Sequence, residues 1–183
     1  FFWFVLADNY LEMCKLRLYN AEHPQRQGAK SALRQVLLTL VKLFAPFLPF
    51  VTEEIYQGLV AQGEDAQFEA SARSIHTMSW PSLEPGLEDE QAIAVGDQLV
   101  EIASIVRRYK SEHSLSLGSE IERLQLATAD PVLAEQLTQA IPDLSSVCRA
   151  NKIEIRPWLE GKLMLLENEG AVQVGIQAII EKE

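Results

Sequence analysis

Residues 88–126 read EDEQAIAVGDQLVEIASIVRRYKSEHSLSLGSEIERLQL, and the spacing of their apolar residues changes partway along. Ala92, Val95, Leu99, Ile102, Ala103, Val106 and Tyr109 share one face at the 3.6-residue period, which predicts a long amphipathic helix over about 88–111 ending in Arg107-Arg108-Tyr109-Lys110. After a loop over 114–119 the period drops to two. Arg123-Leu124-Gln125-Leu126 alternates, as do 152–156 and 172–176, and 162–166 is a weaker strand candidate. Between the first two strands, Asp130 as cap and Pro131 in the first turn open a helix carrying Val132, Leu133, Leu137 and Ile141. Pro142 starts a shorter one with Leu144, Val147 and Cys148. Residues 119–183 therefore read as a small α+β unit.

Upstream the pattern is helical. Trp3, Leu6, Ala7, Tyr10 and Cys14 recur at helical spacing, with Asp8, Glu12 and Lys15 on the polar side. The opening turns are apolar nearly all round, so something should cover residues 1–6, either another helix of this chain or a part of a longer parent protein. His23-Pro24 and Gly28 predict a loop over 19–28. From Ala29, the residues Leu33, Val36, Leu37, Leu40, Val41 and Phe44 define a second amphipathic helix, which Pro46 and Pro49 interrupt. Thr52-Glu53-Glu54 reads as a fresh start, with a capping hydroxyl and two carboxylates beside the positive end of the dipole. Residues 62–90 form an acidic, turn-rich connector. Only 74–80 stands out in it, as an extended piece closed by Pro81 with Trp80 as a packed anchor. The expected architecture is mainly α: an up-and-down helical bundle over 1–118, followed by the α+β unit over 119–183.

Composition narrows the classes further. Of 183 residues, 48% are apolar and 23% charged, an ordinary globular balance that argues against a rod or a disordered chain. The longest apolar stretch is residues 1–7, far short of the ~20 that span a bilayer, so the protein reads as soluble, without a membrane partner, and cytoplasmic. Cys14 and Cys148 sit in separate apolar helical settings and read as reduced core thiols. No Met opens the chain, which begins as if in mid-helix, so a piece of a longer protein is expected. His23, His76 and His113 are scattered without metal-ligand spacing, Glu53 and Glu54 point to different sides of a helix, and no Gly-rich phosphate loop occurs. No catalytic residue and no metal site are therefore expected, and a small hydrolase is disfavoured for want of a nucleophile–base pair.

The net charge of -10 is unevenly spread. Residues 1–52 carry +3, residues 53–101 carry -10 and residues 102–183 carry -3. With a screening length of ~8 Å, an acidic flank need not cancel a basic face elsewhere. Lys15 and Arg17 end the first helix, Arg26 and Lys30 flank the second, and Arg107, Arg108 and Lys110 end the long one. These tips could meet as a phosphate-binding ledge. Cations in a last turn also favour the helix dipole by ~0.3–1 kcal/mol with no ligand at all, so position alone leaves both readings open. Tyr19, Tyr109 and His113 add flat surfaces suited to unpaired bases, although Tyr109 on the apolar face equally suits the core.

Resemblance goes further than periodicity. Phe2-Trp3, Asp8-Asn9-Tyr10-Leu11-Glu12-Met13, Phe44-Ala45-Pro46-Phe47-Leu48-Pro49-Phe50-Val51-Thr52-Glu53-Glu54-Ile55-Tyr56, Ser74-Ile75-His76 and Trp80-Pro81 together resemble the helical anticodon-binding domain of class Ia aminoacyl-tRNA synthetases. Asp8 to Glu12, with Val106-Arg107-Arg108-Tyr109-Lys110-Ser111-Glu112 and Ser116-Leu117, is most similar to the valine-specific members, and the isoleucine members are the nearest alternative. The resemblance covers residues 1 to about 118. It implies a C-terminal part of a ligase, without the HIGH-like and KMSKS-like signatures of the catalytic domain, whose ATP and Mg chemistry would lie outside this chain. No sustained heptads follow residue 120 to make the coiled coil of many bacterial valine enzymes. The implied partners are a tRNA, of the valine type, and the catalytic domain. The implied RNA contacts are Lys15, Arg17, Arg107, Arg108, Lys110 and, by stacking or base-edge contact, His113. A helical protein-interaction scaffold docking through residues 1–6 is the alternative from another class.

Overall fold

A computed structural model describes residues 2–61, 73–82, 86, 88–166 and 170–180. The described chain is mainly helical with one four-stranded sheet. It divides into two compact units, Phe1–His23 with Glu88–Glu183, and Pro24–Leu87.

In the first unit, a π-type helical segment Phe2–Tyr10 runs straight into α1 (Leu11–Tyr19). Helix α4 (Glu90–Glu112) matches the sequence period and is capped by Asp89, whose Oδ1 accepts from the amides of Gln91 and Ala92, both at 3.0 Å. Then come β1 (Glu120–Ala127), α5 (Pro131–Gln139), α6 (Ile141–Cys148), β2 (Ala150–Arg156), β3 (Met164–Leu166) and β4 (Gln173–Ile180). All four strand expectations are met. Asp130 caps α5 at 2.9 Å to the Val132 amide with Pro131 in the first turn, as its sequence requires.

The sheet order is β2-β1-β4-β3, with β1 parallel to β2 and antiparallel to β4. Leu124 and Leu126 of β1 point into a core shared with Leu99, Ile102, Ala103, Ile105 and Val106 of α4, Met13 of α1, and Leu137, Leu144 and Cys148 of α5 and α6. This core therefore crosses the boundary expected between 118 and 119. Helix α4 contributes five buried residues to this core, and amphipathicity could not say which partner its apolar face would take. Both thiols are free and buried, as expected, and burial pushes Cys148 up to about 12.

On the other face of β1, Arg123 binds Glu154 of β2 and, at 2.9 Å, Glu160 of the following loop, while Lys152 holds Glu154 at 2.7 Å. Gly175 lets that loop close down: a Cβ there would lie 3.0 Å from Leu159 and 3.2 Å from Leu163. Hydrogen bonds from Lys152 and then Arg123 hold the Glu154 carboxyl down at about 2. A depressed carboxyl favours the fold fully above its unfolded value near 4.3, and that contribution is lost as pH falls through the folded value. A carbon-detected NMR titration is expected to give Glu154 a midpoint of about 2. A midpoint near 4.3 would mean the Arg123 and Lys152 ties are absent in solution.

The second unit pairs α2 (Arg26–Phe44) with α3 (Pro49–Ala61) around Val41, Ala45, Tyr56 and Ile75. Helix α2 begins earlier than expected and takes Gly28 inside its first turn, so the loop before it is shorter. Helix α3 begins at Pro49, the first-turn position proline favours. Thr52 is consequently inside the helix and is no cap: its hydroxyl donates to the carbonyl of Leu48 at 2.8 Å. Glu53 instead reaches out, accepting from Ser74 Oγ at 2.7 Å and the Ile75 amide at 3.0 Å, and so fixes the 3-10 turn Ile75–Thr77. That turn sits where an extended piece was expected. Trp80, expected as a packed anchor, is 60% exposed. Residues 62–72, 83–85 and 87 of the expected acidic connector lie outside the described residues.

Candidate functional site

All six expected contact residues lie in the first unit, but they do not form one ledge. Lys15 is exposed and held by Glu12 at 2.6 Å. Arg17 is half-buried, 2.9 Å from Asp143 of α6, with a further donation to Cys14 Sγ at 3.8 Å. Burial raises the Asp143 carboxyl despite that guanidinium, and burial pushes neighbouring Tyr10 up to about 12.

Lys110 corrects the sequence reading outright. It is 1% exposed, and its ammonium donates to the carbonyls of Leu117 (3.1 Å), Ser119 (2.8 Å) and Cys148 (3.0 Å). Its position was the available signal, since Ala103, Val106 and Lys110 continue one stripe along the helix. Burial lowers its pKa, and the nearby Arg149 and Arg107 lower it further.

Arg107 and Arg108, adjacent in sequence, open on different grooves. Arg108 is exposed beside Tyr109, Glu112, His113 and strand β3, in an open groove of about 1020 Å³. Tyr109 is partly buried against the core, and the His113 ring lies 4.2 Å from the Tyr109 ring with its Nδ1 2.9 Å from the Tyr109 carbonyl oxygen. Arg107 is half-buried and stitches α4 to the opening segment, donating to Asn9 Oδ1 at 2.7 Å and to the Asp8 carbonyl. Asn9 is fixed in turn by donating to the Phe4 carbonyl at 2.6 Å. The groove beside Arg107, about 460 Å³, is also lined by Asp8, Glu12, Gly118, Ser146 and Arg149. Sequence reasoning missed Arg149, which follows α6 with φ 56° and is exposed.

The expected cover for the opening turns is absent among the described residues, where Trp3 is 68% and Phe4 78% exposed. Among the same residues no cluster of three potential metal ligands occurs, and no helix is long and apolar enough to cross a membrane.

The helical segments and the first strand fall within a known family: the chain belongs to the family described as the anticodon-binding domain of tRNA ligase, whose model matches residues 1–126. Its relatives are more particular. The chain is 42% identical to the valine–tRNA ligase of Methanopyrus kandleri over 85% of its own length, and 34% identical to that of Thermococcus kodakarensis over 90%. It is 34% identical to the valine–tRNA ligase of Wolbachia pipientis wMel over 96%, a likeness that must run through the strands and α5–α6 beyond the family model. The chain spans only 16, 18 and 19% of the length of these three relatives.

Proposed function

We propose that this chain docks the anticodon stem-loop of a tRNA as one part of a valine–tRNA ligase. The observation that carries this reading is the family match over residues 1–126, and the valine-specific relatives favour valine over isoleucine. In this reading α1–α4 belong to an up-and-down bundle of the anticodon-binding type. Arg107 and Arg108 meet the RNA backbone from two sides of α4, with Lys15 at the outer edge, and His113 offers a ring to an unstacked base. Arg17 and Lys110 support the scaffold from within. The chain needs no cofactor of its own; ATP, Mg and the transfer of valine belong to the catalytic domain, in the cytoplasm. Exposed Trp3 and Phe4 support packing against that remainder of the ligase.

The test is titration of the chain with a tRNA-Val transcript at several salt concentrations. Because the chain carries a net charge of -10, weak binding is expected, falling at least ~10-fold between 50 and 200 mM salt. Arg108→Ala is expected to weaken it about 3–10-fold and to flatten the log–log salt slope by about 1. Binding that ignores salt and this substitution would overturn the reading.

A further inference from the structure

Arg149 stands in a left-handed backbone conformation at φ 56°, where glycine or asparagine ordinarily follows a helix because a Cβ crowds the next carbonyl. Its side chain is exposed, and its guanidinium makes no hydrogen bond or ion pair among the described residues. Arg107 lines the same groove, already oriented by Asn9 and the Asp8 carbonyl. The buried Lys110 ammonium lies at its wall, close enough that both arginines depress its ionisation. Two carboxylates also line the groove, but Glu12 is committed to Lys15, which leaves Asp8 against three cations. Gathered like charges of this kind favour an anion between them, and the planar guanidinium fork matches phosphate oxygens in pairs. The small residues Gly118 and Ser146 also line this groove of about 460 Å³.

We propose that Arg107 and Arg149 together clamp one phosphodiester of the docked RNA, so that the α+β region shares in RNA binding with the helices. The inference rests on the tRNA reading above and adds a residue beyond the family model's match.

Arg149→Gly is the decisive variant, because it removes the charge while relieving the backbone, so the melting temperature is expected to hold or rise. Affinity for the tRNA-Val transcript at 50 mM salt is expected to fall about 5–10-fold, with the salt slope flatter by about 1. Arg149→Lys is expected to restore the slope and only part of the affinity, since a point charge replaces a fork. In a double-mutant cycle with Arg107→Gln, the combined loss is expected to be smaller than the product of the two, as for groups on one ligand. If Arg149→Gly binds the transcript like the unmutated chain with the same slope, the clamp is wrong and the tRNA reading stands. A loss confined to inorganic phosphate binding, with tRNA affinity intact, also overturns it. If the unmutated chain binds no tRNA at all, the functional reading falls and the clamp with it.

Discussion

Lys110→Met is expected to cost about 3–5 kcal/mol of folding stability, measured as the shift in a urea unfolding curve at unchanged slope. Methionine keeps much of the packing volume and removes all three donated hydrogen bonds. The carbonyl of Cys148 would then be buried without a donor, at about 1–3 kcal/mol, and the part-buried carbonyls of Leu117 and Ser119 would lose theirs at a smaller cost each. The three acceptors come from two places, the loop leading into β1 and the end of α6, so one ammonium holds both to the end of α4. A loss below about 1 kcal/mol would mean that water satisfies these carbonyls and that the lysine is no staple.

The same residue gives a pH signature whose sign is fixed by burial. Its pKa lies below the ordinary lysine value, so between the folded value and about 10.4 the unfolded chain holds more protons than the folded one. Stability contributed by this group therefore rises with pH across that window, and the rise is expected to vanish in Lys110→Met.

Lys110 lies at a basic helix end yet is 1% exposed. Local period identified α4, the four strands and the Asp130-Pro131 helix start, because each depends on neighbours four or fewer residues away. The same period placed Lys110 on the buried stripe, but lysine is rarely buried, and the carbonyls that satisfy it come from Leu117, Ser119 and Cys148. Arg17 finds Asp143, Ser146 finds the Glu12 carbonyl and Arg107 finds Asn9, all pairings distant in sequence with no local pattern to announce them. A basic helix end is therefore legible as charge and illegible as surface. Glu53 shows the converse: read as a dipole partner, it proves to be the clamp on Ser74 and Ile75. Family resemblance identified the class where these local signals could not, since it rests on many weak positions at once.

Cutting the chain after residue 118, where the change of period invites a boundary, is expected to unfold α4. The helix buries Leu99, Ile102, Ala103, Ile105 and Val106 in one core with Ile121, Leu124, Leu126, Leu137 and Leu144, all of which the cut removes. Exposing the four large side chains of α4 costs roughly 1.5–3 kcal/mol each, together about 6–12 kcal/mol, which is comparable to the whole stability of a domain. The cut also takes away the Ser119 and Cys148 carbonyls, so Lys110 keeps only Leu117 of its three acceptors. Native-state hydrogen exchange checks this directly: amides of α4 that are protected in the full chain are expected to exchange at nearly unprotected rates in the truncated one. The pair α2 and α3 has its own small core of Val41, Ala45, Tyr56 and Ile75, so its amides are expected to lose less protection. Should α4 stay protected after the cut, its apolar face must find cover within residues 1–118, and the boundary suggested by the period would be the true one.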